Sequence, residues 1–283
     1  MKVAETIPQC RAALAADRRG GRRIGFVPTM GFLHEGHLSL VDRARQESDV
    51  VVLSIFVNPT QFGPHDDFDH YPRDLERDLA LAESRGVDVV FAPPLEEMIP
   101  EPSLTTVTMR VVTEAYEGTA RPGHFDGVLT IVTKLFHIVQ PDVAVFGQKD
   151  AQQVAAIRRM IADLDFAVRL VVAPTVRDAD GLAASSRNVY LSPEERREAL
   201  ALSRAVGRAA DLARQGEGDA TRLEAAMREE LARSPSLVVE YAAVVDADRF
   251  TAVVEVGGPC VAAVAARVGA TRLIDNVPLG PDG

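Results

Sequence analysis

The sequence predicts a parallel α/β fold followed by a smaller α+β region. Three observations predict it. Short Val-rich apolar runs alternate with amphipathic stretches over roughly the first 175 of 283 residues. Polar motifs rich in His, Gln, Lys and Gly fall directly after those runs. Beyond them the alternation gives way to long Ala/Leu/Arg-rich stretches and then to closely spaced apolar runs.

The runs at 24–27, 50–56, 87–91, 143–146 and 168–172 are short and continuous, as expected of strands buried on both faces of a parallel sheet. Stretches 36–47, 73–85, 126–138 and 151–162 carry helical apolar spacing. Such alternation argues for a Rossmann-like domain that holds ligands at the carboxyl ends of its strands. His34, the stretch Asn58-Pro59-Thr60-Gln61 and Gly147-Gln148-Lys149-Asp150 each follow such a run, which places three motifs on one rim. Further on, Ser192-Pro193-Glu194-Glu195 reads as a helix start, with Ser as cap, Pro in the first turn and a Glu to complete the box. That helix stops near Gly216; a second is expected at 220–232 and strands at 238–245, 260–268 and 271–275. The expected division is a Rossmann-like domain at 1–175 and a C-terminal α+β domain at 176–283, with residues 180–188 in the joining loop.

Composition bounds the function. With 47% hydrophobic residues the chain can bury a substantial core, as one large domain or two unequal ones. A net charge of −10 disfavours wide nucleic-acid contact, which needs an extended basic surface. It leaves ATP open, because a few local cations and backbone dipoles suffice for a bound phosphate. Cys10 and Cys260 lack metal-ligand spacing and read as reduced thiols. The first residues lack the apolar core of a signal peptide, and no apolar run approaches the ~20 residues that span a bilayer. The expectation is a cytoplasmic protein with small-molecule substrates and no nucleic-acid or membrane partner.

His34-Glu35-Gly36-His37 opens a helix pattern in which Leu38, Val41 and Ala44 share one face. A helix start offers unpaired N–H groups and the positive end of the dipole, a seat for phosphate, and Gly36 lets a ligand approach the backbone. A turn with two surface histidines fits this tetrapeptide equally well. Zinc fits less well, since the metalloprotease pattern sets two His four apart on a helix and these are three apart across a turn. Ala184-Ser185-Ser186-Arg187 adds two hydroxyls and a guanidinium that can grip a triphosphate, although alone it reads as a polar loop. A His-x-Gly-His with a later Ser-Ser-Arg resembles the nucleotidyltransferase superfamily that includes class I aminoacyl-tRNA synthetases.

Further segments narrow this. Pro28-Thr29-Met30-Gly31-Phe32-Leu33 before His34, Ser54-Ile55-Phe56-Val57-Asn58-Pro59-Thr60-Gln61-Phe62-Gly63, Tyr71-Pro72-Arg73, His124-Phe125-Asp126-Gly127-Val128, Phe146-Gly147-Gln148-Lys149-Asp150-Ala151-Gln152-Gln153 and Pro174-Thr175-Val176-Arg177 stand in one order. With them the chain resembles the pantothenate synthetase (pantoate–β-alanine ligase) family from about Val27 to Asn276. The resemblance implies an AMP-forming ligase that condenses (R)-pantoate with β-alanine through a pantoyl-adenylate and releases pyrophosphate. It implies ATP contacts from Met30, Gly31, Phe32, Leu33, His34, Glu35, Gly36 and His37, from Gly147, Gln148, Lys149 and Asp150, and from Val176, Ala184, Ser185, Ser186 and Arg187. Among these His34, His37, Lys149, Ser185, Ser186 and Arg187 are the catalytic candidates. Gln61, Gln153 and Asn58 would read pantoate, Asp78 stands at a family position near Mg2+, and Arg121 and His124 are loop or β-alanine contacts. The resemblance also implies a homodimer; by position the C-terminal domain with its joining loop reads as a lid, and the polar stretch 62–69, with its Gly and Pro, reads as a mobile flap. Two residues depart from the family pattern: Ala184 replaces Met, and Ala151 often stands as Tyr.

Plainer readings exist residue by residue. Lys149 alone would be a solvated loop Lys, Gln153 a polar residue on an exposed helix face, Asp150 a helix cap, and Asp78 part of a charged helix face. A tRNA synthetase would need a tRNA-binding domain and a basic face, neither of which is visible. A phosphoester substrate would call for Arg or Lys in place of the two Gln. A silent nucleotide sensor need not keep the whole His, Lys and Ser-Ser-Arg set, and a Walker-type ATPase would need Gly-x-x-x-x-Gly-Lys-Ser/Thr, which is absent.

Overall fold

A computed structural model describes residues 1–63 and 68–280. Its elements run β1 (Lys2–Ala4), α1 (Ile7–Arg19), β2 (Ile24–Thr29), α2 (Glu35–Glu47), β3 (Val50–Ile55), α3 (Leu75–Ser84), β4 (Val89–Phe91), α4 (Leu95–Met98), α5 (Glu117–Ala120), α6 (His124–Val139), β5 (Val143–Gly147), α7 (Ala151–Asp163) and β6 (Arg169–Ala173). They continue with α8 (Pro193–Arg214), α9 (Ala220–Leu231), β7 (Leu237–Asp246), β8 (Cys260–Val268) and β9 (Thr271–Leu279). The chain divides into two units. Unit 1 holds Met1–Arg110, Glu117–Gly147 and Ile157–Ala173; unit 2 holds Val111–Tyr116, Gln148–Ala156 and Pro174–Gly283.

Unit 1 is built on a parallel sheet of order β1-β4-β3-β2-β5-β6. The Val-rich runs form its centre because both faces are covered: Phe26, Val27, Val51, Leu53, Val143 and Val145 are all buried. Each fully buried large apolar side chain contributes about 1.5–3 kcal/mol. Strand order reverses between β2 and β5. In such sheets ligands bind outside the carboxyl ends of the strands at that reversal. The anticipated strand at 87–91 starts later, at Val89, because the Val87 N–H turns back to the Ala82 carbonyl and closes α3. Helix α3 likewise starts at Leu75, after Asp74 caps it by accepting the Arg77 N–H. Four elements were not anticipated: β1, α1 and the four-residue helices α4 and α5. β1 is a three-residue edge strand, too short for a periodic signal. α1 carries a capping box between Thr6 and Gln9 with a Pro in its first turn, a start signal present in the sequence.

Unit 2 carries the antiparallel sheet β7-β8-β9. The box at Ser192 and Glu195 starts α8 as expected. Ala199, Leu202, Ala205, Val206 and Ala209 of α8 share one core with Ala262, Val264 and Ala266 of β8. Small side chains there let helix and sheet approach closely. β9 extends to Leu279, four residues past the anticipated end at 275. Its interior polar pair, Asp275 and Asn276, and Pro278 obscure the strand in the sequence; Pro is tolerated because β9 is an edge strand. Among the described residues no helix is long and apolar enough to cross a membrane.

Candidate active site

In unit 1, β2 ends in a tight loop. Thr29 Oγ1 donates to the Ser54 carbonyl at 2.7 Å and accepts the Gly31 N–H at 3.2 Å. Gly31 and Phe32 follow with φ of +83° and +48°. Two successive left-handed residues need support, since one without Gly costs roughly 1–2 kcal/mol. Asp78 of α3 supplies it: its Oδ2 accepts the Phe32 N–H at 2.6 Å and its Oδ1 the Leu33 N–H at 2.7 Å. A Cβ on Gly31 would stand 2.9 Å from Asp78 Oδ2, so only Gly fits. The Arg77 guanidinium lies over the Phe32 ring, 5.1 Å from its centre. Burial pushes the Asp78 carboxyl up, against the two N–H bonds and Arg77, which hold it down.

Asp78 does not fit a metal ligand. It is 1% exposed, with both oxygens turned to backbone N–H groups. Among the described residues no group of three or more His, Cys, Asp or Glu is placed to hold a metal ion. The carboxylate anchors a loop.

The loop delivers His34 as the N-cap of α2. Its Nδ1 accepts the Gly36 N–H at 3.1 Å, so Nε2–H is the donor of the neutral ring. The His34 and His37 rings stand 4.1 Å apart, half-buried, at the dipole end of α2. Glu35 is exposed and pairs with Arg85 at 2.8 Å, so its side chain serves the surface of α2.

Gln61 closes a 3-10 turn, Pro59–Gln61, after β3. Asn58 starts that turn and is 2% exposed. Its Oδ1 accepts the Thr60 N–H at 3.1 Å and Oγ1–H at 2.7 Å; its Nδ2 donates to Gln61 Oε1 at 3.2 Å and to the Gly127 carbonyl at 3.1 Å. With its amide thus occupied, Asn58 holds the Gln61 side chain in place. Gln61 Nε2 lies 2.8 Å from Met30 Sδ, which brings the two candidates together. Gly127 has no room for a side chain, because a Cβ there would overlap the Thr60 carbonyl. Arg121 Nη2 donates to the Gln61 carbonyl at 3.2 Å, and His124 Nδ1 lies 2.8 Å from it. These two residues, expected as loop or β-alanine contacts, hold the Gln61 backbone. The anticipated flap at 62–69 includes residues 64–67, which lie outside the described residues. At its ends Phe62 packs on Phe68 and Tyr71, with centroids 5.3 and 5.8 Å away.

In unit 2, Gln148–Asp150 form a 3-10 turn ahead of α7. Lys149 is half-buried, with Nζ 3.9 Å from Asp150 Oδ1. Gln153 is half-buried on α7, whereas its neighbour Gln152 is buried and donates to the Val112 and Ala115 carbonyls. Ser185 starts a second 3-10 turn, Ser186–Tyr190, by accepting the Arg187 N–H at 3.3 Å. Ser186 is buried and Arg187 half-buried. Ala184 donates its N–H to the Val176 carbonyl at 2.9 Å and is 6% exposed, so a longer side chain there would meet packed neighbours. Ala151 is buried as well.

A profile of the pantoate-β-alanine ligase family matches residues 2–278. The chain belongs to the pantoate-β-alanine ligase family. It is 54% identical to a pantothenate synthetase of Acetivibrio thermocellus over 277 residues, 98% of this chain and 99% of that relative. The crystal structure of pantothenate synthetase from Thermus thermophilus superposes with a TM-score of 0.93 at 47% identity, covering 98% of this chain and 99% of that one. A pantoate-β-alanine ligase from Francisella tularensis, complexed with β-γ ATP and β-alanine, superposes at 0.79 with 32% identity, covering 98% and 97%. The family motifs hold the candidate residues of both units. What sequence reasoning missed is the support around them: Asp78 on the loop, Asn58 on Gln61, and Asn276 on the Lys149 turn.

Proposed function

We propose that this chain joins (R)-pantoate to β-alanine at the expense of ATP, forming pantothenate in coenzyme A biosynthesis. The observation that carries the reading is a family match over residues 2–278 that retains His34, His37, Lys149 and Ser185-Ser186-Arg187 together. A carboxylate is a poor acyl donor because oxide is a poor leaving group. In the first step a pantoate carboxylate oxygen attacks the α-phosphorus of ATP, and pyrophosphate leaves. In the second the β-alanine amine attacks the acyl carbon, AMP leaves and the amine loses its proton. The protein supplies position and charge.

His34 and His37 would donate to the phosphates at the start of α2, with backbone groups of Met30, Gly31, Phe32, Leu33 and Gly36 lining the nucleotide. Lys149 would neutralise developing negative charge, and Ser185, Ser186 and Arg187 would grip the same triphosphate. Gly147, Gln148, Asp150, Val176 and Ala184 complete the nucleotide contacts, Asp150 at the ribose. Gln61 and Gln153 read pantoate through neutral amides, and Asn58 acts through Gln61. Mg2+ arrives on the ATP phosphates as part of the substrate. Residues 1–175 bind ATP and pantoate, and residues 176–283 act as a lid that excludes water from the adenylate. The family resemblance supports a cytoplasmic homodimer, which sedimentation tests.

The deciding experiment uses labelled pyrophosphate. With pantoate and Mg-ATP but no β-alanine, label is expected to exchange into ATP. Formation of ADP and phosphate in the complete reaction would sink the reading.

A further inference from the structure

Asn276 lies inside β9, buried to 4% exposure, and its amide is committed to one turn. Nδ2 donates to the carbonyls of Gln148 at 3.0 Å and Lys149 at 2.8 Å. Oδ1 accepts from Gln148 Nε2 at 2.9 Å. Three bonds thus run from one strand residue to the turn that carries Lys149. Next to it Asp275, 2% exposed, takes both arms of the Arg177 guanidinium at 2.6 and 3.0 Å and the Asn276 N–H at 2.8 Å. Arg177 also donates to the Gly181 carbonyl at 3.2 Å, in the loop that leads to Ser185. The Ala184 N–H bond to the Val176 carbonyl closes that loop on the same segment.

We propose that Asn276 is a positioning residue for Lys149, and that the Asp275–Arg177 pair holds the Ser185-Ser186-Arg187 loop to the same strand. The inference rests on the reading of Lys149 as a phosphate-directed group. A lysine ammonium is a point charge on a flexible stem, so its reach depends on where its backbone is fixed. Donors on two successive carbonyls fix both the position and the tilt of that backbone. Removing them takes a donor from each of two part-buried carbonyls and frees the turn to shift.

A double-mutant cycle tests this through single-turnover pyrophosphate release with pantoate and Mg-ATP. Asn276→Ala is expected to slow adenylate formation about 10- to 100-fold, the scale of a misplaced reactant. On top of Lys149→Ala the same change should add less than about 3-fold, whereas independent roles would multiply. Asn276→Ser keeps a single short hydroxyl donor in place of the two-donor amide, and serves in the same cycle if Asn276→Ala does not fold. Multiplicative losses, or a normal rate in Asn276→Ala beside a slow Lys149→Ala, overturn the positioning role alone. A parental rate in Lys149→Ala overturns the reading of Lys149 and this role with it.

Discussion

The two regions that carry the groups proposed to meet phosphate are fixed by opposite chemistry. In unit 1 a single buried carboxylate, Asp78, accepts two backbone N–H groups of the loop before α2. In unit 2 an amide, Asn276, donates to two backbone carbonyls of the turn after β5. Each anchor matches the backbone groups that its segment presents. The loop before α2 turns two N–H groups toward its anchor, whereas the Gln148–Lys149 turn presents two carbonyls. The unit 1 anchor carries a charge in a buried setting. The unit 2 anchor is neutral, and the charge beside it, Asp275, is paired with Arg177.

The largest test of the comparison removes one group from each region. His37→Ala and Lys149→Ala should each slow adenylate formation by roughly 100-fold or more, the scale of one charge-stabilising contact. Rapid-quench measurement of pyrophosphate release compares them. If one variant lost only ATP affinity at an unchanged chemical rate, the two regions would not share the step.

A smaller effect is expected from Asp78→Asn. The amide keeps one acceptor but turns its NH2 toward the second N–H, so the Gly31-Phe32 turn loses half its support. Adenylate formation should fall by about 10-fold, within the range for reactant misplacement. The Mg2+ concentration giving half-maximal rate should stay the same. A raised Mg2+ requirement would return Asp78 to the metal.

The smallest effect uses the natural thiol of each unit, Cys10 and Cys260, both buried. Burial pushes the Cys10 thiol up from 9.0 to about 11, against the nearby Arg18 and Arg11, and also raises Cys260. A group whose folded value is raised favours the fold below its unfolded value and loses that contribution through its folded one. Stability should therefore decline from pH 9.0 to about 11 through Cys10, a window that Cys10→Ala should flatten in urea titrations. Thiol labelling in sub-denaturing urea should reach Cys260 before the fully buried Cys10, ranking the local openings of the two units.

Much of this was legible because the signals were local. Val-rich runs gave the central strands, and Ser192 with Glu195 gave the start of α8. The His34 to His37 segment was readable because its residues are neighbours in sequence. The anchors were hidden by distance and by context. Asp78 lies 46 residues from Phe32, in a first turn shared with Glu76 and Arg77, where a carboxylate looks solvated. Asn276 lies 128 residues from Gln148, and with Asp275 it resembles a strand end. The bonds that occupy the Asn58 amide were hidden too, because one of them runs to Gly127, 69 residues away.

The Asn58 network has a directional consequence. The Thr60 backbone N–H can only donate, so the Asn58 atom facing it must be the oxygen. Nδ2 of Asn58 therefore faces Gln61, and the atom of Gln61 that receives it must be Oε1. Gln61 cannot flip without setting two NH2 groups against each other. Its Nε2 end, beside Met30, is fixed as a hydrogen source. Polarity that starts at one peptide N–H is passed through two amides and leaves a donor, not an acceptor, at the outer end of Gln61.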